Sequence, residues 1–205
     1  MRRSVPALLG LALTLACAAS AAAQTPPPER HAVTSHPRPH TRARIVRTNV
    51  PNAIPDAGFE SGGFTYWQQC GNVNASITAA RAHDGKFSLK SGSSAGEPTG
   101  DEGVCQGVFV PPDAKLTFWV YQYSTEHDTT FAYQEAQLID ANGTTVKQLY
   151  QTANTTNGWV QQSYDLSAYA GQPLYLYFGV HGDGFAGAYV IQFVDDVSLT
   201  SGAVP

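Results

Sequence analysis

From Pro51 onward, apolar and polar residues alternate in short runs, broken at close intervals by Gly, Asn, Asp and Pro. Successive strand side chains point to opposite faces, so a period of two over short runs predicts strands rather than helices. The pattern predicts strands around 66–70, 75–80, 87–91, 104–110, 115–123, 131–140, 145–151, 159–165, 174–181 and 189–200. Asp140-Ala141-Asn142-Gly143 separates two of these runs and predicts a hairpin, because Asn-Gly readily takes positive φ. One helical turn is expected over 166–171, and no long amphipathic helix. Some ten strands in about 150 residues suit one all-β domain, a two-sheet antiparallel β-sandwich.

The alternation also assigns faces. Leu116, Phe118 and Val120 form one row, against Thr117, Trp119, Tyr121 and Tyr123. Leu174, Leu176, Phe178 and Val180 form another, against Tyr175, Tyr177 and His181. The aliphatic rows belong in the core and the Tyr/Trp rows on outer sheet faces. The last strand poses a problem. Its apolar face reads Ile191, Phe193, Val197 and Leu199, with Asp195 in the middle. A carboxylate in a core stripe is costly unless paired. Either the strand bulges and turns Asp195 outward, or Asp195 meets a cation.

The chain before Pro51 has a different texture. Arg2 and Arg3 precede an apolar run from Val5 to Ala19 and then small residues, which predicts a secretory signal peptide over 1–23. The run is short for a transmembrane span, and no later segment is apolar enough for one. Cys17 leaves lipoprotein anchoring as an alternative. Residues 24–50 are Pro-rich and poor in apolar side chains, with five Arg against one Glu, net +4. They read as a basic disordered linker, extended and solvated, whose histidines could also catch a transition metal. Residues 51–205 carry five basic against fifteen acidic side chains, net −10. That balance disfavours nucleic acid and anionic membrane as partners and is compatible with cation binding. Without the signal, Cys70 and Cys105 remain. A disulfide between them, worth roughly 3.5–4 kcal/mol by chain entropy, is expected in an oxidising compartment, with two free buried thiols as the alternative.

Seven motifs follow one another along the domain. They are Phe59-Glu60-Ser61-Gly62 with Trp67; Ala82-His83-Asp84-Gly85-Lys86-Phe87-Ser88-Leu89; Cys105-Gln106-Gly107-Val108-Phe109-Val110-Pro111; Leu116-Thr117-Phe118-Trp119; Gly158-Trp159; Asp165-Leu166-Ser167-Ala168-Tyr169-Ala170-Gly171-Gln172; and Val194-Asp195-Asp196-Val197-Ser198-Leu199. In this order they resemble the galactose-binding-like jelly-roll domains of secreted bacterial proteins, among them carbohydrate-binding modules of glycoside hydrolases and accessory domains of secreted proteases. The resemblance implies a jelly roll over 51–201. It also implies a structural calcium joining the N-terminal strand to the last one. Its ligands would be Glu60, backbone carbonyls of the Asp84-Gly85-Lys86 loop, and Asp195. Calcium takes six to eight oxygen ligands, which agrees with that set.

No Gly-x-Ser-x-Gly, His-Glu-x-x-His or P-loop motif occurs. Glu126-His127-Asp128 is the one acid–base cluster, and it reads more simply as a solvated loop tip. The loops at 91–103 and 182–188, with Glu97, Asp101, Glu102 and Asp183, could shape a ligand site. The expected function is a secreted, non-catalytic binding module for a glycan or cell-surface ligand. Trp119, Tyr121, Tyr123, Tyr175 and Tyr177 would stack on sugar, and Gln161 would bond its hydroxyls. A structural or adhesive cell-envelope protein is the alternative, and a small hydrolase acting through the Glu126 loop a weaker one.

Overall fold

The computed structural model describes residues 29–41 and 52–201. The signal peptide, Cys17 and the remaining linker residues lie outside the described residues. Ten strands form among the described residues: β1 (Gln68–Gln69), β2 (Ser76–Thr78), β3 (Ser88–Gly92), β4 (Thr99–Phe109), β5 (Ala114–Ser124), β6 (Tyr133–Ile139), β7 (Thr145–Thr152), β8 (Val160–Asp165), β9 (Pro173–Asp183) and β10 (Val190–Ser201). A 3-10 turn at Ser167–Tyr169 occupies the expected helical position. The β6–β7 hairpin closes with Gly143 N–H on the Asp140 carbonyl, and Gly143 has φ 84°.

All named strand pairs are antiparallel. They make two five-stranded sheets, sheet A in the order β1-β4-β9-β6-β7 and sheet B in the order β2-β3-β10-β5-β8. The fold is therefore the expected jelly-roll sandwich. Leu116, Phe118 and Val120 of β5 and Leu174, Leu176 and Phe178 of β9 meet between the sheets with Leu138, Val194 and Leu199, while Val180 packs with Ala132 and Val190. Phe118 of sheet B packs edge-on against Phe178 of sheet A at 4.8 Å. Phe59 stacks on Trp67 at 4.9 Å, adding two large buried rings to this core.

The face assignment of β10 needs correction. Its pairing with β5 slips between Asp195 and Ser198, and Asp196 sits at φ 48°. This is a β-bulge, and the extra residue reverses the side-chain phase. Ahead of the bulge, Ile191, Phe193 and Asp195 stand opposite Tyr123, Tyr121 and Trp119 on the outer row of sheet B. Val194 faces the core there, and Val197 and Leu199 do so beyond the bulge. Asp195 is thus outward on its sheet, although fully buried. It is covered by the loop before β3, whose His83 N–H donates to its carboxylate.

Residues 29–41 also depart from expectation, since they do not form a free tail. They run without secondary structure over the outer face of sheet A. Val33, Ser35, Pro37 and Pro39 are at least partly buried, and the residues between them are exposed. The Arg38 N–H donates to the Cys70 carbonyl at 2.8 Å, and Ser35 Oγ donates to Asp101 at 2.6 Å. A segment too polar to form a core can still dock when its partners are polar.

Candidate functional site

The outer face of sheet A carries three cross-strand rungs from β4, β9 and β6. They are Asp101–His181–Tyr133, Gly103–Gly179–Glu135 and Cys105–Tyr177–Gln137. The middle rung has two glycines, and the Tyr177 ring lies over them. A Cβ on Gly179 would meet Tyr177 Oη at 2.0 Å, so no larger residue fits this approach. The strip along these rungs, called the channel below, is therefore floored at its middle by the Tyr177 ring and edged by polar side chains. Asp101, Glu135, Gln137 and His181 are buried in it, and Tyr133 stacks on the His181 ring at 4.9 Å. Tyr177 Oη is buried with no hydrogen-bond partner among the described residues.

Electrostatics in the channel follow from this crowding. His181 Nδ1 lies 2.8 Å from Asp101 Oδ1, and Nε2 lies 2.9 Å from the Val33 carbonyl. Both ring nitrogens face acceptors, so the geometry calls for an imidazolium. Burial works against that charge, but the Asp101 carboxylate outweighs it and raises the His181 pKa. Burial, reinforced by Asp101, pushes the Glu135 carboxyl up to about 7.

At one end of the channel the loops form a cage around Arg30. Its guanidinium donates to Glu97 at 2.8 Å, Glu126 at 2.7 Å and Asp183 at 2.8 Å. It also lies 4.6 and 4.5 Å from the ring centroids of Phe131 and Phe185. Burial, with Asp183 and Glu126 beside it, pushes the Glu97 carboxyl up to about 8. Glu126 thus serves an ion pair, while Asp128 caps its own loop by accepting from the Thr130 N–H.

The expected aromatic surface is split. Tyr175 and Tyr177 are buried on sheet A near the Cys70–Cys105 disulfide, whose Cα atoms are 5.7 Å apart as expected. Trp119, Tyr121, Tyr123 and Gln161 belong to sheet B. Their flat ring faces are also partly taken. His83 stacks on Trp119 at 3.9 Å, and the Arg81 guanidinium lies 3.9 Å from the Tyr121 centroid. One sugar-stacking surface built from all these rings is therefore excluded. The sequence reading assigned no faces to the strand over 131–140, so Tyr133, Glu135 and Gln137 were missed. Their shared alternation on 131–140 was the available signal.

The residues expected to hold calcium lie near one another. A Cβ on Gly58 would stand 3.5 Å from Asp196 Oδ1, 3.6 Å from Glu60 Cγ and 3.7 Å from Asp195 Oδ1. These oxygens suit calcium in kind. Their present partners are N–H groups. Glu60 accepts from Lys86 N and Phe87 N, each at 2.9 Å, and Asp84 accepts from Gly85 N. Asp195 accepts from His83 N and Asp196 N. No three such side chains converge on one point among the described residues. Asp196 does not face away from this corner, as strict alternation had implied. Its Oδ2 lies 2.6 Å from His83 Nδ1.

The sequence matches no protein-family model and no curated protein. Solved structures do match. TmCBM61 in complex with β-1,4-galactotriose is 18% identical, with TM-score 0.53 over 74% of this chain and 99% of that one. The K3 cleaved adhesin domain of Lys-gingipain from Porphyromonas gingivalis w83 is 18% identical, with TM-score 0.51 over 71% and 97%. The CBM22-1 xylan-binding domain from Paenibacillus barcinonensis Xyn10C is 22% identical, with TM-score 0.45 over 72% and 94%. The chain has a jelly-roll β-sandwich fold similar to that of carbohydrate-binding modules.

Proposed function

We propose that the protein is a secreted, non-catalytic carbohydrate-binding module whose saccharide sits in the outer channel of sheet A. The observation that carries this reading is the set of three rungs. They place carboxylate, carboxamide, imidazole and phenol groups along one face of sheet A. Sugar hydroxyls need donors and acceptors at close spacing, and the Tyr133 ring adds an apolar face. The similarity in fold to a module bound to β-1,4-galactotriose supports the same class of ligand. The disulfide supports an oxidising compartment. Among the described residues, no helix is long and apolar enough to cross a membrane.

A glycan array probed with the full chain tests this reading. A saccharide signal that Gln137→Ala and Tyr133→Ala each weaken at least tenfold is the expected result. Signal unchanged by both variants would remove the channel from the account. One observation favours the adhesive alternative, because the channel already holds an extended peptide, residues 29–41. In that case an extended peptide array would give hits and the glycan array none.

A structural calcium belongs to the same proposal, held by Glu60, the Asp84 and Lys86 carbonyls and Asp195. Its support is charge. Glu60, Asp195 and Asp196 crowd the Gly58 backbone, and the Asp84 N–H adds to the donors on Asp195. Calcium would neutralise this corner and tie the N-terminal segment to β10.

A further inference from the structure

The Arg30 contacts are unusual for a terminal segment. An exposed ion pair contributes little, because water and salt screen it. Here one guanidinium meets three carboxylates and two aromatic faces. The three carboxylates come from separate places in the chain: Glu97 before β4, Glu126 after β5 and Asp183 at the end of β9. The side chains of Glu97 and Asp183 are almost wholly buried. Arg is the side chain this geometry suits, since its planar fork pairs with carboxylates and its face stacks on rings.

What Arg30 holds down is equally specific. After it, the Val33 carbonyl accepts from His181, Ser35 donates to Asp101, and Arg38 N–H donates to Cys70. The first two contacts occupy the Asp101–His181 pair, the polar groups of the first rung. We propose that Glu97, Glu126, Asp183, Phe131 and Phe185 form a guanidinium-binding cage, and that Arg30 fills it to latch residues 31–41 over the channel as a displaceable plug. Saccharide and plug then compete for Asp101 and His181. This competition rests on the carbohydrate reading, whereas the cage and latch do not.

Arg30→Ala and Arg30→Lys in the full chain test the inference. Hydrogen exchange of amides 31–41, Arg38 above all, should quicken at least tenfold in Arg30→Ala, with β5 and β10 protected as in the native chain. Arg30→Lys should fall between, since an ammonium cannot fill the planar fork. Methylguanidinium at millimolar concentration should raise the melting temperature of Arg30→Ala and leave the native chain unmoved. Unchanged exchange in Arg30→Ala overturns the latch, and absence of the methylguanidinium effect overturns the cage. On a glycan array Arg30→Ala should bind at least tenfold more strongly than the native chain. Equal signal overturns the competition. No signal from either protein overturns the carbohydrate reading and leaves the latch to be decided by exchange.

Discussion

Glu135 carries the clearest pH consequence of any single residue. Its carboxyl is raised from the ordinary range to about 7, first by burial and then by Asp101. A raised carboxyl means that the folded state holds a proton the unfolded chain releases. The stabilising contribution is complete below the unfolded value near 4.5 and is lost as pH rises toward 7. The loss is on the order of 3 kcal/mol. Asp195, raised to about 6 chiefly by burial, acts with the same sign. So does His181, which faces Asp101 on β4, Glu135 and Tyr133 on β6, and the Val33 carbonyl. Stability should fall between pH 5 and 8, and Glu135→Gln should show a visibly shallower fall in denaturant titrations. Parallel curves for the two proteins would rule Glu135 out as a source. In the acidic corner, chelation should lower the melting temperature, and Glu60→Gln should remove that response. Asp195→Ala and Asp196→Ala should both blunt it, since both carboxylates reach the His83 loop. A melt indifferent to chelator in the native chain ends the calcium assignment.

Among the elements, the disulfide joins the end of β1 to β4 under residues 37–38. Reducing it should cost up to about 4 kcal/mol in unfolding free energy. The loss would be read as a lower urea midpoint with reductant, and equal midpoints would show the bond to be dispensable. The strands themselves were legible in the sequence. The alternation of Leu116, Phe118 and Val120, and of Leu174, Leu176 and Phe178, reports strands with one face in the sandwich core. The bulge at Asp195–Ser198 was not fixed by the sequence, because one inserted residue changes the phase without changing composition. Both β4 and the docked segment were underread for another reason. Thr99–Gly103 has no apolar alternation and is a strand because β9 pairs with it. Residues 33–39 alternate too, but with Ser and Pro in the inward positions, and their partners are hydrogen-bonding groups.

At the scale of the whole molecule, residues 29–41, which carry Arg30 and Arg38 against Glu29, overlie a domain of net −10. Residue types alone suggested two independent parts, a linker and a module. The cage at Arg30 makes one part the occupant of the other. Covalent attachment then sets the terms of any encounter. A tethered plug acts at an effective concentration in the millimolar range, with no dependence on how dilute the protein is. On the carbohydrate reading, a saccharide would meet only the fraction of molecules whose channel is open, and its apparent dissociation constant would be the intrinsic one divided by that fraction. A channel open one time in a hundred would make a micromolar site look about 100-fold weaker. Affinity in such a protein is graded by the occupancy of one guanidinium site at the far end of the channel. Each tenfold gain on releasing Arg30 would measure about 1.4 kcal/mol of closure.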